Sequence, residues 1–189
     1  MDVDSMMRNR MRKKSKIGRK LDGYKYGWLK DAEKFLVLLV IVFLVFQFVI
    51  GVSVVKGDSM ETTLHSGEGV LYGRIYSEYQ RGDVVSVKIP SGEYYVKRVI
   101  ATEGDTIAIK AGNVYVNGEL LDEPYVVGET QPQRGTVRYP LTLEEGQVFV
   151  MGDNREDSMD SRAFGVVGER QIKGKLLFRF GKWYVKNVD

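Results

Sequence analysis

The stretch "VVSVKIPSGEYYVKRVIA", residues 84–101, decides the fold class of the chain. Its two arms, "VVSVKI" and "YYVKRVIA", are rich in the β-branched and aromatic residues that favour strands. Between them lies "PSGE", a group of turn-forming residues. The pattern predicts an antiparallel hairpin with a four-residue loop.

The same pattern recurs along the chain after Val55. "TIAIK" and "VYVNG" flank "AGN", "QVFVM" runs into "GDN", and "LLFRF" and "WYVK" flank "GK". No stretch after Val55 keeps helical periodicity over three turns. We therefore expect residues 56–189 to form a mainly β domain, an antiparallel barrel or sandwich.

One part of this domain is expected to be irregular. Residues 119–140 hold three of the four prolines and show little periodicity. Such a stretch does not fit a central strand, because proline cannot donate to the sheet. We expect residues 111–140 to form an inserted cap region.

A run of strongly hydrophobic residues precedes the β domain. Residues 35–55, "FLVLLVIVFLVFQFVIGVSVV", carry no charge. A helix of 21 residues is long enough to cross a hydrocarbon core of about 30 Å. The run is too long for the core of a cleavable signal peptide, and no A-x-A-like site follows it. A single retained transmembrane helix is therefore predicted over residues 35–55.

The positive charge of the chain is concentrated before this run. Residues 1–34 hold 11 Lys or Arg and 5 Asp or Glu, although the net charge of the whole chain is only +3. The segment 8–20 alone has eight basic residues and no acid, which would suit nucleic acid or anionic lipid. Its position beside the apolar run favours lipid headgroups. The positive-inside rule then predicts a cytoplasmic tail over 1–34 and an extracytoplasmic domain over 56–189.

The absence of cysteine narrows the chemistry. Disulfides, thiolate metal sites and a cysteine nucleophile are all excluded. No cofactor and no metal are expected from the remaining motifs.

Ser59 is the candidate nucleophile. The segment "VVKGDSMETTL", residues 54–64, places it four residues after the apolar run, and a serine attacks a carbonyl only when a base removes its proton. The single histidine, His65, lies in a polar turn with no evident orienting carboxylate, and we interpret it as a surface residue. Lys97 lies on the strand "YYVKRVIA", where burial would lower the lysine pKa. The strand alone leaves open whether Lys97 is a buried base or extends to an edge and pairs with a carboxylate.

Four blocks of the sequence resemble a known family. "GDSMETTL", "RGDVVSVKI", "YYVKRVIATEGDTI" and "MGDNREDSMDSRAFGVVGERQIKGK" follow one another in the order and at the intervals of the conserved blocks of type I signal peptidases of the Gram-positive type. These are membrane-anchored serine–lysine proteases that remove signal peptides from exported proteins at the outer face of the cytoplasmic membrane. The resemblance, with the preceding apolar segment, covers most of the chain after residue 34.

The resemblance also implies roles for individual residues. Ser59 corresponds to the nucleophile, Lys97 to the general base, and Ser158 to a residue that hydrogen-bonds the lysine. Gly57 stands where some members carry a hydroxyl that binds the oxyanion, which leaves the second oxyanion donor open. The other expected site residues are Met60, Gly57 and Tyr95 for substrate binding, and Asp153, Asp160, Arg98 and Arg162 as ion pairs that support the site.

The expected substrates are the signal peptides of exported preproteins. Such a peptide would bind as an added β-strand between the edges 52–57 and 94–97, so that alternate side chains enter pockets. We therefore expect a specificity for small residues at −1 and −3, counted back from the cleaved bond, as the resemblance also implies. The lipid bilayer is the second expected partner; nucleic acid is not one, and a monomer is expected.

Two other functional classes compete with this interpretation. A catalytically idle relative that assists the assembly of surface structures would have lost the serine or the lysine, and both are present. A self-cleaving repressor with the same dyad would be a soluble DNA-binding protein, which the membrane segment and the lack of a helix-turn-helix pattern disfavour. The tripeptide "RGD" at 81–83 is interpreted as the turn before the strand at 84–89 rather than as an adhesion motif.

Overall fold

The computed structural model describes residues 3–76, 78–89, 91–133, 137–181 and 184–188. The chain divides into two compact units, Met1–Gln47 and Phe48–Asp189. The first is helical, and the second contains both β-sheets.

The first unit is built on one long helix, α1 (Val3–Leu44), which continues as a π-helical turn over Val45–Val49. The segment Gly27–Val49 is long and apolar enough to cross a membrane. Its large hydrophobic side chains are exposed. A helix with exposed apolar side chains all round is suited to lipid.

The apolar run 35–55, predicted as one helix, is divided in the structure between a helix and a strand. The helical part ends at Val49, and the next five residues form strand β1 (Ile50–Val54), which pairs antiparallel with β2 (Gly69–Gly73). An apolar edge strand and the end of a membrane helix have the same composition, and only pairing with β2 distinguishes them.

The main sheet contains eight strands, and every pairing in it is antiparallel. Its order is β1-β2-β11-β3-β4-β9-β10, with β12 also paired to β11. The prediction of a mainly antiparallel β fold is confirmed. The remaining strands of this sheet are β3 (Val84–Lys88), β4 (Tyr94–Ala101), β9 (Gln147–Met151), β10 (Val167–Gly168), β11 (Ile172–Gly181) and β12 (Tyr184–Asn187).

Strands β3 and β4 form the predicted hairpin, in register from Val84↔Arg98 to Lys88↔Tyr94. Pro90 of its loop lies outside the described residues, as do Lys182 and Trp183 between β11 and β12.

A second sheet of four strands has the order β7-β6-β5-β8. Within it, the predicted hairpin around "AGN" is present, with Lys110↔Asn113 as its last pair. The region expected as an inserted cap, 111–140, therefore begins with β6 and β7 of this sheet. From residue 121 to 140 its described part is irregular apart from one bridge between Val127 and Asn154. The strands are β5 (Thr106–Lys110), β6 (Asn113–Val116), β7 (Glu119–Leu120) and β8 (Leu141–Thr142).

Three buried clusters hold the β unit together, and one of them fixes the segment that carries Ser59. Met60 and Leu64, 1% and 0% exposed, pack against Val70 and Tyr72 of β2 and Leu176 of β11. Burying a side chain of this size contributes about 1.5–3 kcal/mol. The residue next to Ser59 is thus anchored in the core.

Candidate active site

Ser59 lies in a turn whose backbone is tied from both sides. Leu64 N–H donates to the Met60 carbonyl at 2.8 Å, and the Ser59 carbonyl accepts from Asn154 N–H at 3.1 Å. The Ser59 side chain remains partly exposed, since only its neighbour Met60 is directed into the core. The turn therefore presents the hydroxyl to the adjacent cleft.

Lys97 meets this hydroxyl from strand β4. Its Nζ lies 2.7 Å from Ser59 Oγ, and the residue is 3% exposed. Burial lowers the Lys97 pKa to about 8, because the ammonium loses its hydration. Asp160, the largest charge effect, opposes this shift, as do Asp153 and Asp157, whereas Arg162 adds to it. An amine with this pKa is substantially neutral at mildly alkaline pH.

His65 does not share this environment. Its side chain is 56% exposed, and Nδ1 lies 3.4 Å from Glu61 Oε1. Among the described residues it forms no hydrogen bond with Ser59. Sequence reasoning had found no carboxylate near His65; the structure supplies Glu61, four residues earlier.

Arg98, the residue after Lys97 on β4, forms a bidentate ion pair with Asp153. The Nε–Oδ1 distance is 3.0 Å and the Nη2–Oδ2 distance is 2.9 Å, and both side chains are almost fully buried. Thr63 Oγ1 donates to Asp153 Oδ2 at 2.6 Å, and Arg98 also donates to the Gly82 carbonyl. The pair joins strand β4 to the Ser59 turn and to the loop after β9.

Asp160 and Arg162 form a second buried pair, with Nε–Oδ1 and Nη2–Oδ2 distances of 2.8 Å. Asp160 caps the short helix α2 (Ser161–Phe164) and accepts from Gly152 N–H at 3.1 Å. The carboxylate thus fixes Gly152 relative to α2. Charged hydrogen bonds of this kind are stronger than neutral ones, so they hold the loop in one geometry.

A third buried cluster was not found from the sequence. Arg155, 1% exposed, forms a bidentate pair with Glu123 and donates to Thr130 Oγ1 at 2.6 Å. Its Nε donates to the Gly152 carbonyl at 2.9 Å. Glu123 lies 32 residues earlier in an irregular stretch, so no local sequence pattern predicts its contact with Arg155. The cluster attaches the irregular region to the active-site loop.

Gly152 allows Ser158 to approach the Ser59 turn. A Cβ on Gly152 would lie 2.3 Å from Ser158 Oγ and 2.5 Å from the Ser59 carbonyl oxygen, which leaves no room for a side chain. Ser158 is buried, and its hydroxyl has no hydrogen-bond partner among the described residues. Its predicted hydrogen bond to Lys97 stays a prediction.

The N–H groups of the Ser59 turn differ in whether they already donate a hydrogen bond. In the described part of the chain, Ser59 N–H donates to no other group. Gly57, with a φ of +83°, donates its N–H to Ser66 Oγ at 3.2 Å. The positive φ favours glycine at this position.

A cleft of about 470 Å³ opens beside Ser59 and Lys97. Its walls include residues 53–60 on one side and 94–97 on the other, so Gly57, Met60 and Tyr95 all line it. Strand β1 pairs only with β2, and β4 pairs with β9 only from Arg98 onward, within the ranges that the structure describes. Two strand edges with free backbone groups therefore border the cleft.

The sequence comparisons with known proteins agree on one family. The sequence model of the family "Signal peptidase, peptidase S26" matches residues 28–183. The chain is 37% identical over 161 residues to signal peptidase IB of Staphylococcus aureus, covering 76% of this chain and 84% of the relative. It is 36% identical over 165 residues to signal peptidase I S of Bacillus subtilis, covering 80% and 88%. A solved structure of a signal peptidase I from Enterococcus faecalis is similar with a TM-score of 0.48 and 33% identity, covering 54% of this chain and 99% of that one.

Proposed function

This chain belongs to the signal peptidase family S26 and is a serine peptidase, and from that premise we propose that it cleaves signal peptides from exported preproteins with Ser59 as nucleophile and Lys97 as general base. The observation that carries the proposal is the 2.7 Å distance between Ser59 Oγ and a buried Lys97 Nζ whose pKa is about 8. A neutral amine at that distance is placed to accept the serine proton.

The geometry supports an acyl-transfer mechanism. Neutral Lys97 takes the proton of the Ser59 hydroxyl as Oγ attacks the carbonyl carbon of the −1 residue. Ser59 N–H is available to the developing oxyanion. The Lys97 ammonium then gives its proton to the leaving amine, which is the new N-terminus of the mature protein. Neutral Lys97 then takes a proton from a water molecule as that water attacks the ester carbonyl, and it returns the proton to Ser59 Oγ as the signal peptide leaves with its new carboxylate.

The supporting residues hold this arrangement in place. Arg98 and Asp153 connect the strand of Lys97 to the turn of Ser59, and Asp160 and Arg162 fix the loop that packs against the Ser59 carbonyl. None of the four has a direct contact with the Ser59 hydroxyl among the described hydrogen bonds. Their proposed role is to position the dyad.

The substrate is proposed to bind as a strand in the cleft. The free edges of β1 and of residues 94–97 offer backbone hydrogen bonds, and the pocket beside Met60 and Tyr95 receives the −1 side chain. Small residues at −1 and −3 fit this arrangement. A precursor with Ala at −1 and −3 should be cut by the purified full chain, whereas replacing the −1 Ala by Trp should reduce kcat/KM at least tenfold, since an overfilled pocket displaces the scissile bond. Equal cleavage of both precursors would contradict this part of the proposal.

The proposed location is the cell membrane, with the helix over Gly27–Val49 as the anchor and the N-terminus in the cytoplasm. Ser59 follows Val49 by only ten residues along the chain, which favours a substrate whose scissile bond emerges close to the membrane. A monomer is sufficient for this chemistry, because both members of the dyad come from one chain.

Protease protection tests the orientation. In intact protoplasts, external protease should degrade the part of the chain after residue 55 and leave residues 8–20 protected, because the lysines that precede the span hold that end inside. The measurement is immunoblotting with tags at the two termini, with a cytoplasmic protein as the lysis control. Loss of the N-terminal tag alone would overturn the orientation.

A further inference from the structure

Thr63 lies at the junction between the Ser59 turn and the strand that carries Lys97. Its hydroxyl donates to Asp153 Oδ2 at 2.6 Å and accepts from Arg98 Nη2 at 3.0 Å. Since Arg98 Nη2 also donates to Asp153 Oδ2 at 2.9 Å, the three side chains form a closed ring of hydrogen bonds. Thr63 follows Ser59 by four residues, and Arg98 directly follows Lys97. The Thr63 hydroxyl therefore links the two segments whose side chains form the dyad.

The backbone of Thr63 is held from a second direction. Arg179 of β11 donates from Nη1 to the Thr63 carbonyl, although the two residues lie 116 positions apart in the chain. The next residue, Leu64, is fully buried in the core. Thr63 thus has its hydroxyl fixed by the Arg98–Asp153 pair and its carbonyl fixed by β11.

A buried carboxylate, Glu68, ties the end of the same segment to the C-terminal hairpin β11–β12. Glu68 is 6% exposed, and its Oε2 accepts from His65 N–H at 3.2 Å and lies 3.9 Å from Arg179 Nη1. Its Oε1 accepts from the hydroxyl of Tyr184 in β12. Both carboxylate oxygens have partners, as buried charged groups require. The segment 63–68 is therefore attached to the hairpin at both ends.

Hydrogen bonds of this kind fix a direction, which apolar burial does not. Met60 and Leu64 anchor the Ser59 turn in the core, but the hydrophobic effect is non-directional. Hydrogen bonds to charged groups have a narrow range of distance and angle, and they are stronger than neutral ones. The contacts of Thr63 are thus the ones that set how the turn is oriented relative to β4.

We propose that Thr63 is a positioning residue for the Ser59–Lys97 pair and that Arg179 acts through it; this rests on the proposed function above. Thr63 has no hydrogen bond to either side chain of the dyad among the described residues, and it is not among those that line the cleft. Its role is to hold Ser59 Oγ at 2.7 Å from Lys97 Nζ, the distance that proton transfer requires. Loss of its hydroxyl should slow acyl transfer and leave substrate binding unchanged.

Two substitutions at Thr63 test this role. Valine keeps the volume and loses both hydrogen bonds, whereas serine keeps the hydroxyl and loses one methyl group. Thr63→Val should lower the single-turnover rate constant at saturating enzyme by roughly ten- to hundredfold, because a small misplacement of a reacting group is costly. Thr63→Ser should keep most of the wild-type rate. The enzyme concentration that gives half the maximal rate should stay within about twofold in both, since the removed contact is made outside the cleft.

The conditions of this measurement exclude a merely structural role. A lower folded fraction reduces the amplitude of a single turnover but not its rate constant. Measuring on the alkaline plateau, where Lys97 is neutral, removes any contribution from a changed lysine pKa. If only packing mattered, serine would be the slower variant, because it leaves a small void. Thr62→Val makes the same change at the exposed neighbouring threonine and should keep the wild-type rate constant.

Arg179 is tested by a double-mutant cycle. Arg179→Met should lower the rate constant by about three- to tenfold, because the Thr63 carbonyl loses a charged donor. In the Thr63→Val background the same change should have little further effect, since both act on one segment. Arg170→Met, at an exposed arginine of the short helix after β10, is the matched control and should have no effect. Fully additive losses would contradict the claim that Arg179 acts through Thr63.

Wild-type cleavage of a precursor with Ala at −1 and −3 separates this inference from its premise. If wild type leaves that precursor intact, the proposed function fails and the positioning role fails with it. If wild type cuts it and Thr63→Val is equally fast, or Thr63→Ser is slower than Thr63→Val, the positioning role alone is contradicted. Circular dichroism reports whether Thr63→Val is folded. If it is not, Arg179→Met decides: a lower rate constant with unchanged half-saturation supports the role, and a wild-type rate constant overturns it.

Discussion

Ser59→Ala is expected to abolish cleavage of a precursor that carries Ala at −1 and −3. Removing the nucleophile of a serine hydrolase lowers the rate by roughly 10³-fold or more, because no other group forms the acyl-enzyme. The domain should stay folded, since the change removes one partly exposed hydroxyl and one hydrogen bond worth about 1 kcal/mol. The measurement is kcat/KM of the purified full chain in detergent, together with its thermal unfolding by circular dichroism.

A matched serine provides the control for this variant. Ser91 lies exposed in the loop of the β3–β4 hairpin, where its hydroxyl contacts Glu93. Ser91→Ala makes the same chemical change away from the cleft and should retain the wild-type rate. Cleavage by Ser59→Ala at more than a few percent of the wild-type rate would reject Ser59 as the nucleophile.

Lys97→Arg is the second change with a large expected effect. Arginine keeps the positive charge, but its guanidinium remains protonated at any workable pH and cannot take a proton from Ser59. The variant should therefore be as inactive as Lys97→Ala, a loss of about 10²–10⁴-fold if only base catalysis is removed. Single-turnover cleavage of the same precursor measures this loss. Lys110→Arg, the same substitution at the end of β5, should have no effect.

The β unit could be predicted because its signals are local. The hairpins of β3–β4 and β5–β6 each combine alternating apolar residues with a turn, and both occur in the structure. Hydrogen bonds between neighbouring strands follow from such patterns without knowledge of distant residues. The order of the sheet, with β11 between β2 and β3, could not be predicted, because no pattern relates residues about 100 positions apart.

The end of the apolar run shows a limit of composition. "IGVSV", residues 50–54, is as hydrophobic as the helix before it, yet it forms the edge strand β1. Its Val52 and Val54 are 50% and 57% exposed. Composition cannot separate a membrane segment from an exposed apolar edge strand, since both lack charge.

The site was partly accessible from the sequence. Ser59 follows the apolar run and Lys97 interrupts an apolar strand, but the strand alone leaves the role of Lys97 open, and only the family resemblance predicts it as the base. The structure brings the two side chains together. The pair of Arg155 with Glu123 and the β-bulge of β11 between Ile172 and Gly174 carry no such signal. Both depend on contacts between segments that are far apart in the chain, and no local sequence pattern predicts such contacts.

The pH dependence of kcat/KM tests the central claim, that a neutral Lys97 is the base. As pH falls below the Lys97 pKa of about 8, the amine becomes an ammonium without a free electron pair, so activity should fall tenfold per pH unit. At higher pH the base is deprotonated and activity should rise to a plateau. The pH at which kcat/KM rises gives the pKa of Lys97 in the free enzyme.

The decisive measurement is therefore kcat/KM between about pH 6 and 10 for wild type, Lys97→Arg and His65→Ala on one peptide substrate. The account predicts a single rising limb near pH 8 for wild type, the same curve for His65→Ala, and background rates at every pH for Lys97→Arg. An active Lys97→Arg together with an inactive His65→Ala would contradict it and assign the base to the histidine.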